Sequence, residues 1–298
     1  MMKSILNKLA LVVIFWITIP YSLVRAQTFR NNTVSITQPF VVSADSLIGL
    51  GKIKPVEQLQ ASLENPSLAK VSLPKIHQED LKARDIYAKA LQATVVVGSA
   101  YLCPRCAHTH VSNATGYIIS EDGVVVTNYH VLDGYLHMGD GNKPLALLVR
   151  LANGKTYAVK EVINASEKDD LAVLRLDVGK DVLPALALSE GAVVGEDAYV
   201  LGHPRGMYYF FTKGMVNSKF QEAGGTQEEP YFYDVMAISA DYAAGASGGP
   251  VLDSAGNIIG TVSSTRTLQY NDPGRSVQMV LKTTIPVESL WKLLNKKV

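Results

Sequence analysis

Gly245-Ala246-Ser247-Gly248-Gly249-Pro250, set between two apolar, β-prone runs, decides the fold of this 298-residue chain. A serine hydroxyl is a weak nucleophile, so a site that uses one must hold it near a base and offer N–H donors to the oxyanion formed on attack. Without a Cβ, Gly245 can turn so that its N–H and that of Ser247 point at one spot, while Gly248 and Gly249 leave room for an approaching backbone. The plainer reading of the same six residues is an ordinary glycine-rich turn.

Two stretches upstream separate these readings. Val124-Val-Val-Thr-Asn-Tyr-His130-Val-Leu is a strand that runs into a turn presenting a histidine. Asp169-Asp170-Leu-Ala-Val-Leu leads from an acidic pair directly into a strand. A carboxylate beside a catalytic histidine fixes its tautomer and stabilises the imidazolium. The chain order His130, Asp170, Ser247 is the order found on the chymotrypsin fold, one of three unrelated orders for this triad.

The pattern around these stretches agrees. Short β-branched runs recur at Thr94–Val97, Gly116–Ile119, Val124–Thr127, Ala146–Val149 and Leu171–Leu174, with turn chemistry at Glu121-Asp122-Gly123 and Ala152-Asn153-Gly154. Val182–Ser189 reads as a linker to a second set that includes Ala198–Leu201, Gly214–Val216, Val235–Ala240, Pro250–Leu252, Ile258–Val262 and Val277–Lys282. The spacing predicts an all-β protein of two β-barrels, about 93–183 and 190–285, within one domain at 93–298. Residues 286–298 should form a short closing C-terminal helix, with Pro286 at its start and basic residues at its end. Residues 27–92 read as an N-terminal arm, extended or partly ordered around Pro39, Pro55, Pro66 and Pro74, with one amphipathic helix near 78–92.

At its three chemical blocks the chain resembles a known family, the trypsin-like (chymotrypsin-fold) serine peptidases of the bacterial HtrA/Deg-like branch. Thr127-Asn-Tyr-His130-Val, Asp170-Leu-Ala-Val-Leu and Gly245-Ala-Ser247-Gly-Gly-Pro carry the resemblance, supported by Leu201-Gly-His-Pro-Arg-Gly206 and Thr212-Lys-Gly-Met-Val216. It covers roughly residues 93–285. It implies two six-stranded antiparallel barrels and peptide-bond hydrolysis by an acyl-enzyme route. The implied catalytic residues are His130, Asp170 and Ser247, with the oxyanion hole at Gly245 and Ser247 and no metal or organic cofactor. Such enzymes act on polypeptides, in some cases as quality control in the cell envelope. About 50 residues follow Ser247, so a PDZ domain of the Deg type is not expected after it. Ala246 replaces the aspartate that digestive trypsins pair with a new N-terminus, which removes that route of activation. In trypsin-like peptidases the position of Asp241 can floor the pocket for the side chain before the cut bond, where a carboxylate would favour Arg or Lys; the alternative is a turn residue.

Composition bounds the rest. With 47% hydrophobic residues the chain can bury one large core. With 28 basic against 27 acidic residues, no charge excess is available to drive nucleic-acid binding. Lys3 and Lys8, the apolar run Leu9–Ile19 and Val24-Arg25-Ala26 match a signal peptide at 1–26, cut before Gln27. The expectation is a periplasmic or extracellular protein with no membrane span after cleavage. Only two cysteines occur, in Cys103-Pro-Arg-Cys106-Ala-His108-Thr-His110. A disulfide, a metal site with the histidines, and free thiols all remain open there. Two functions from different classes follow: an active endopeptidase, or a catalytically silent binding or scaffold protein that kept the fold. Neither oligomeric state nor natural substrate follows from these residues.

Overall fold

The computed structural model describes residue 29 and residues 31–66, 71–270 and 276–295. The expected signal peptide at 1–26 lies outside the described residues.

Among the described residues, twelve strands form two closed six-stranded antiparallel barrels, as the resemblance implied. The first barrel holds β1 (Thr94–Leu102), β2 (Thr109–Ser120), β3 (Val124–Thr127), β4 (Lys143–Arg150), β5 (Thr156–Ser166) and β6 (Leu171–Leu176), in the order β1-β2-β3-β6-β5-β4. It closes where β1 pairs with β4, Val97 opposite Val149. The second barrel holds β7 (Asp197–Gly202), β8 (Phe210–Gly225), β9 (Pro230–Ile238), β10 (Pro250–Leu252), β11 (Ile258–Gln269) and β12 (Val277–Pro286), and closes between β7 and β10. The valine runs at 95–97 and 124–126 form strands buried along their length, filling the first barrel with the branched side chains that suit a pleated wall.

Helices frame the barrels. The segment expected as an extended arm holds α1 (Gln38–Gly49) and α2 (Val56–Glu64), with a π-helical turn at Thr33–Thr37 leading into α1. Pro39 and Pro55 open these helices rather than break them, because the first helical N–H groups need no partner within the helix. Phe40, Ala44 and Leu59 bury this arm against the first barrel. Next, α3 (Ala83–Ala93) starts five residues later than the amphipathic pattern suggested. A further helix, α4 (Tyr129–Leu136), follows β3 where the sequence suggested only a turn. Finally, α5 (Val287–Leu293) closes the chain inside the expected 286–298. No helix among the described residues is long and apolar enough to cross a membrane.

Candidate active site

His130 stands in the first turn of α4, whose Leu132, Tyr135 and Leu136 are buried and fix the helix to the barrel. Asp170 stands just before β6 in a backbone conformation with φ of +49°, which Asp tolerates better than most side chains. The turn aims its carboxylate at α4. His130 Nδ1 lies 2.9 Å from one Asp170 oxygen and 3.0 Å from the other, and the His130 backbone N–H donates to the first at 3.1 Å. With an ionised carboxylate as acceptor, Nδ1 must carry the proton, which leaves the Nε2 lone pair free. Asn128 Nδ2 donates to the Asp170 carbonyl oxygen at 2.8 Å and locks the two segments together. Asp169 faces elsewhere, accepting from Ser166 Oγ at 2.8 Å.

Ser247 belongs to the second barrel and shares with His130 a cavity of about 350 Å³, walled by β1 and β2 through Val97, Ser99, Ser112 and Ala114. Its hydroxyl donates to the Ser263 carbonyl oxygen at 3.5 Å and makes no hydrogen bond to His130. The N–H groups of Gly245 and Ser247 donate to nothing among the described residues. Gly245, at φ +98°, has no room for a Cβ, which would fall 2.7 Å from the His203 carbonyl oxygen; a Cβ on Gly248, at φ +82°, would meet the Thr115 carbonyl oxygen at 2.2 Å. The glycines are therefore required by both conformation and close packing.

Three contributors were given no role from the sequence. Ser263 sits where the β11–β12 register shifts, and its Oγ donates to Asp170 Oδ2 at 2.8 Å, joining the second barrel to the first. Such an irregularity re-aims a side chain that a regular strand would point elsewhere. Thr115, fully buried on β2, donates its hydroxyl to the Gly245 carbonyl oxygen at 2.8 Å, and its N–H donates to the Ser247 carbonyl oxygen at 2.9 Å. His203 supports Thr115: its backbone N–H lies 3.2 Å and its Nδ1 3.1 Å from the same hydroxyl oxygen. Because that hydroxyl spends its proton on Gly245, His203 Nδ1 must donate, and Nε2 is left bare with no hydrogen-bond partner among the described residues. Burial pushes the His203 imidazole down to about 3. The family motif alone signalled this segment.

Asp241 stands apart from the cavity. Its side chain is 83% exposed and lies 3.6 Å from the Lys282 ammonium. Cys103, Cys106 and His110 meet at the β1–β2 hairpin as free thiols beside an imidazole, while His108 is exposed outside the group. The hydrogen bond with the Cys106 thiol brings Cys103 down to about 7.

A family model described as a trypsin-like peptidase domain matches residues 114–260, which span β2 to β11 and include His130, Asp170 and Ser247. Residues 114–260 are thus similar to a trypsin-like peptidase domain. The chain is 29% identical over 188 residues to Protease Do-like 1, chloroplastic, of Arabidopsis thaliana, covering 62% of this chain and 39% of that protein. It is 32% identical over 186 residues to a probable periplasmic serine endoprotease DegP-like of Pseudomonas savastanoi pv. phaseolicola, covering 62% and 36%. The matched region thus spans little more than a third of these curated relatives. Among solved structures, the HtrA-type protease AlgW with decapeptide matches at a TM-score of 0.54 and 21% identity, covering 72% of this chain and 67% of that one. Deg5 matches at a TM-score of 0.53 and 22% identity, covering 70% and 90%. These structural likenesses bear on the peptidase fold alone.

Proposed function

We propose that this chain is a serine endopeptidase that cleaves polypeptides through an acyl-enzyme, with Ser247 as nucleophile, His130 as general base and acid, and Asp170 as the carboxylate that holds the imidazole. The observation that carries this reading is the Asp170 carboxylate gripping both Nδ1 and the backbone N–H of His130, beside a cavity that His130 shares with Ser247. In the reaction, Ser247 Oγ attacks the peptide carbonyl carbon as its proton passes to His130 Nε2. The unengaged N–H groups of Gly245 and Ser247 receive the oxyanion. His130 then gives the proton to the leaving amine, and a water molecule repeats the attack to free the acid. The hydrogen bond between such a serine and histidine commonly forms or tightens only with substrate bound.

The word periplasmic in the names of several relatives, and the N-terminal signal pattern, support an exported enzyme acting on polypeptides of the cell envelope, in line with a quality-control role. A preference for Arg or Lys set by Asp241 gains little support, because that carboxylate is largely in water and already faces a lysine. A fluorophosphonate should label wild-type protein and fail on Ser247→Ala, and casein cleavage should vanish with the label. A folded wild type that takes no label and leaves casein intact would make the chain a silent scaffold instead.

A further inference from the structure

We propose that the β1–β2 hairpin is a zinc site, in which the thiolates of Cys103 and Cys106 and Nε2 of His110 hold one Zn²⁺ and a water molecule completes the shell. One ligand atom from each of the three residues lies within 4.8 Å of the others. Cys106 Sγ is 3.1 Å from Cys103 Sγ and 2.9 Å from His110 Nε2.

Magnitudes favour a metal over a cross-link. Tetrahedral zinc, with bonds of about 2.3 Å to sulfur and 2.0–2.1 Å to nitrogen, sets sulfurs about 3.8 Å apart and sulfur and nitrogen about 3.6 Å apart. Each gap needs to open by roughly 0.7 Å to reach those values. A disulfide would instead require the sulfurs to close by about 1 Å, to roughly 2.05 Å, and it has no use for the imidazole. Yet the imidazole is deliberately placed: His110 stacks on Tyr101, its cross-strand partner, with centroids 5.3 Å apart and planes at 28°, which turns Nε2 toward Cys106. Two thiolates and an imidazole form a soft donor set that suits zinc, and Cys-x2-Cys is a usual zinc spacing. The sequence left a disulfide, a metal site and free thiols open, with no second ligand pair far along the chain; three donors and a water need no such pair.

The site has a position of consequence. His110 opposes Tyr101, and two residues further along the same ladder Ser112 opposes Ser99, both of which wall the cavity shared by His130 and Ser247. A metal at the hairpin ties the ends of β1 and β2 together one step from that wall.

The test uses the full chain without a histidine tag, reduced, dialysed against Zn²⁺ alone and measured by elemental analysis. One zinc per chain is expected in wild type and in His108→Ala, falling to background in Cys106→Ser and sharply reduced in His110→Ala. Zn²⁺ should also protect both thiols of the wild type from alkylation, a readout that needs no variant. Co²⁺ should give a sulfur-to-metal charge-transfer band. Wild type that retains no zinc after reduction, zinc content indifferent to Cys106→Ser, or thiols alkylated equally fast with and without Zn²⁺ would each overturn the proposal. None of these readouts depends on peptidase activity.

Discussion

The buried hydroxyl of Thr115 donates to the carbonyl oxygen of Gly245, 2.8 Å away on the other barrel. The bond spans 130 residues of chain and sets the plane of the peptide that leads into Ala246 and Ser247. Thr115→Val keeps the shape but leaves the Gly245 oxygen and the His203 N–H without this partner. An unpaired buried group costs about 1–3 kcal/mol, so fluorophosphonate labelling should slow by roughly ten- to hundredfold. Labelling at the wild-type rate would show that the loop holds itself.

The two neighbouring aspartates separate the carboxylate of the proposed triad from a turn residue. Asp170→Asn should lower turnover by roughly 10⁴, the loss seen for this change in chymotrypsin-type triads, because a carboxamide favours the wrong tautomer. Asp169→Asn should stay near wild type, since Asp169 bonds Ser166 and not the histidine. The reverse pattern in a peptide-cleavage assay would move the role to Asp169.

Ser263→Ala removes the hydroxyl that donates to Asp170 Oδ2 while leaving its backbone oxygen in place. The expected result is a lower kcat at nearly constant KM, because the lost contact orients the imidazole rather than the substrate. A rise in KM alone would assign Ser263 to substrate binding.

His203 makes stability depend on pH. Its imidazole, held down to about 3 by burial, resists the proton that the unfolded chain accepts near 6.5. The folded pKa is lowered, so the neutral histidine is no liability above about pH 6.5, and stability falls as pH drops from there toward 3. The slope for this one proton is about 1.4 kcal/mol per pH unit. Carboxylates titrate in the same window, so the measurement is the difference in urea midpoints between wild type and His203→Asn across that range. Parallel curves would remove His203 as the cause.

Phe40 tests whether the arm belongs to the domain. It is 1% exposed, and its ring lies where a Cβ on Gly98 of β1 would be, 2.5 Å away. Phe40→Ala should cost about 3–5 kcal/mol if α1 is part of the cooperative unit, read from urea unfolding. A change under 1 kcal/mol would mean that α1 detaches before the barrels open.

What could be read from the sequence, and what could not, follows from how far each signal reaches along the chain. Strands such as Val124–Thr127 and Leu171–Leu174 announce themselves because both faces are buried, so the apolar run is continuous. Most of β8 did not, since Asn217 to Gly225 are mostly polar or glycine and mostly exposed, leaving no apolar run to see. Prolines 39 and 55 suggested an extended or partly ordered arm, whereas each stands where a helix begins. His130, Asp170 and Ser247 could be singled out from the sequence because each lies in a short local motif. Thr115 and Ser263 act across the barrels, on partners 130 and 93 residues away, and such contacts leave no local trace.

His130 and Asp170 hang from the first barrel, Gly245 and Ser247 from the second. Each barrel closes its own hydrogen-bond ladder, so neither needs the other to keep its strands paired. A displacement of about 1 Å between reacting groups can cost a hundredfold in rate. Sliding one barrel against the other would therefore switch the proposed chemistry off with both halves intact, and the hydrogen bonds of Thr115, of Tyr117 with Thr261, and of Ser263 are the joints that resist it.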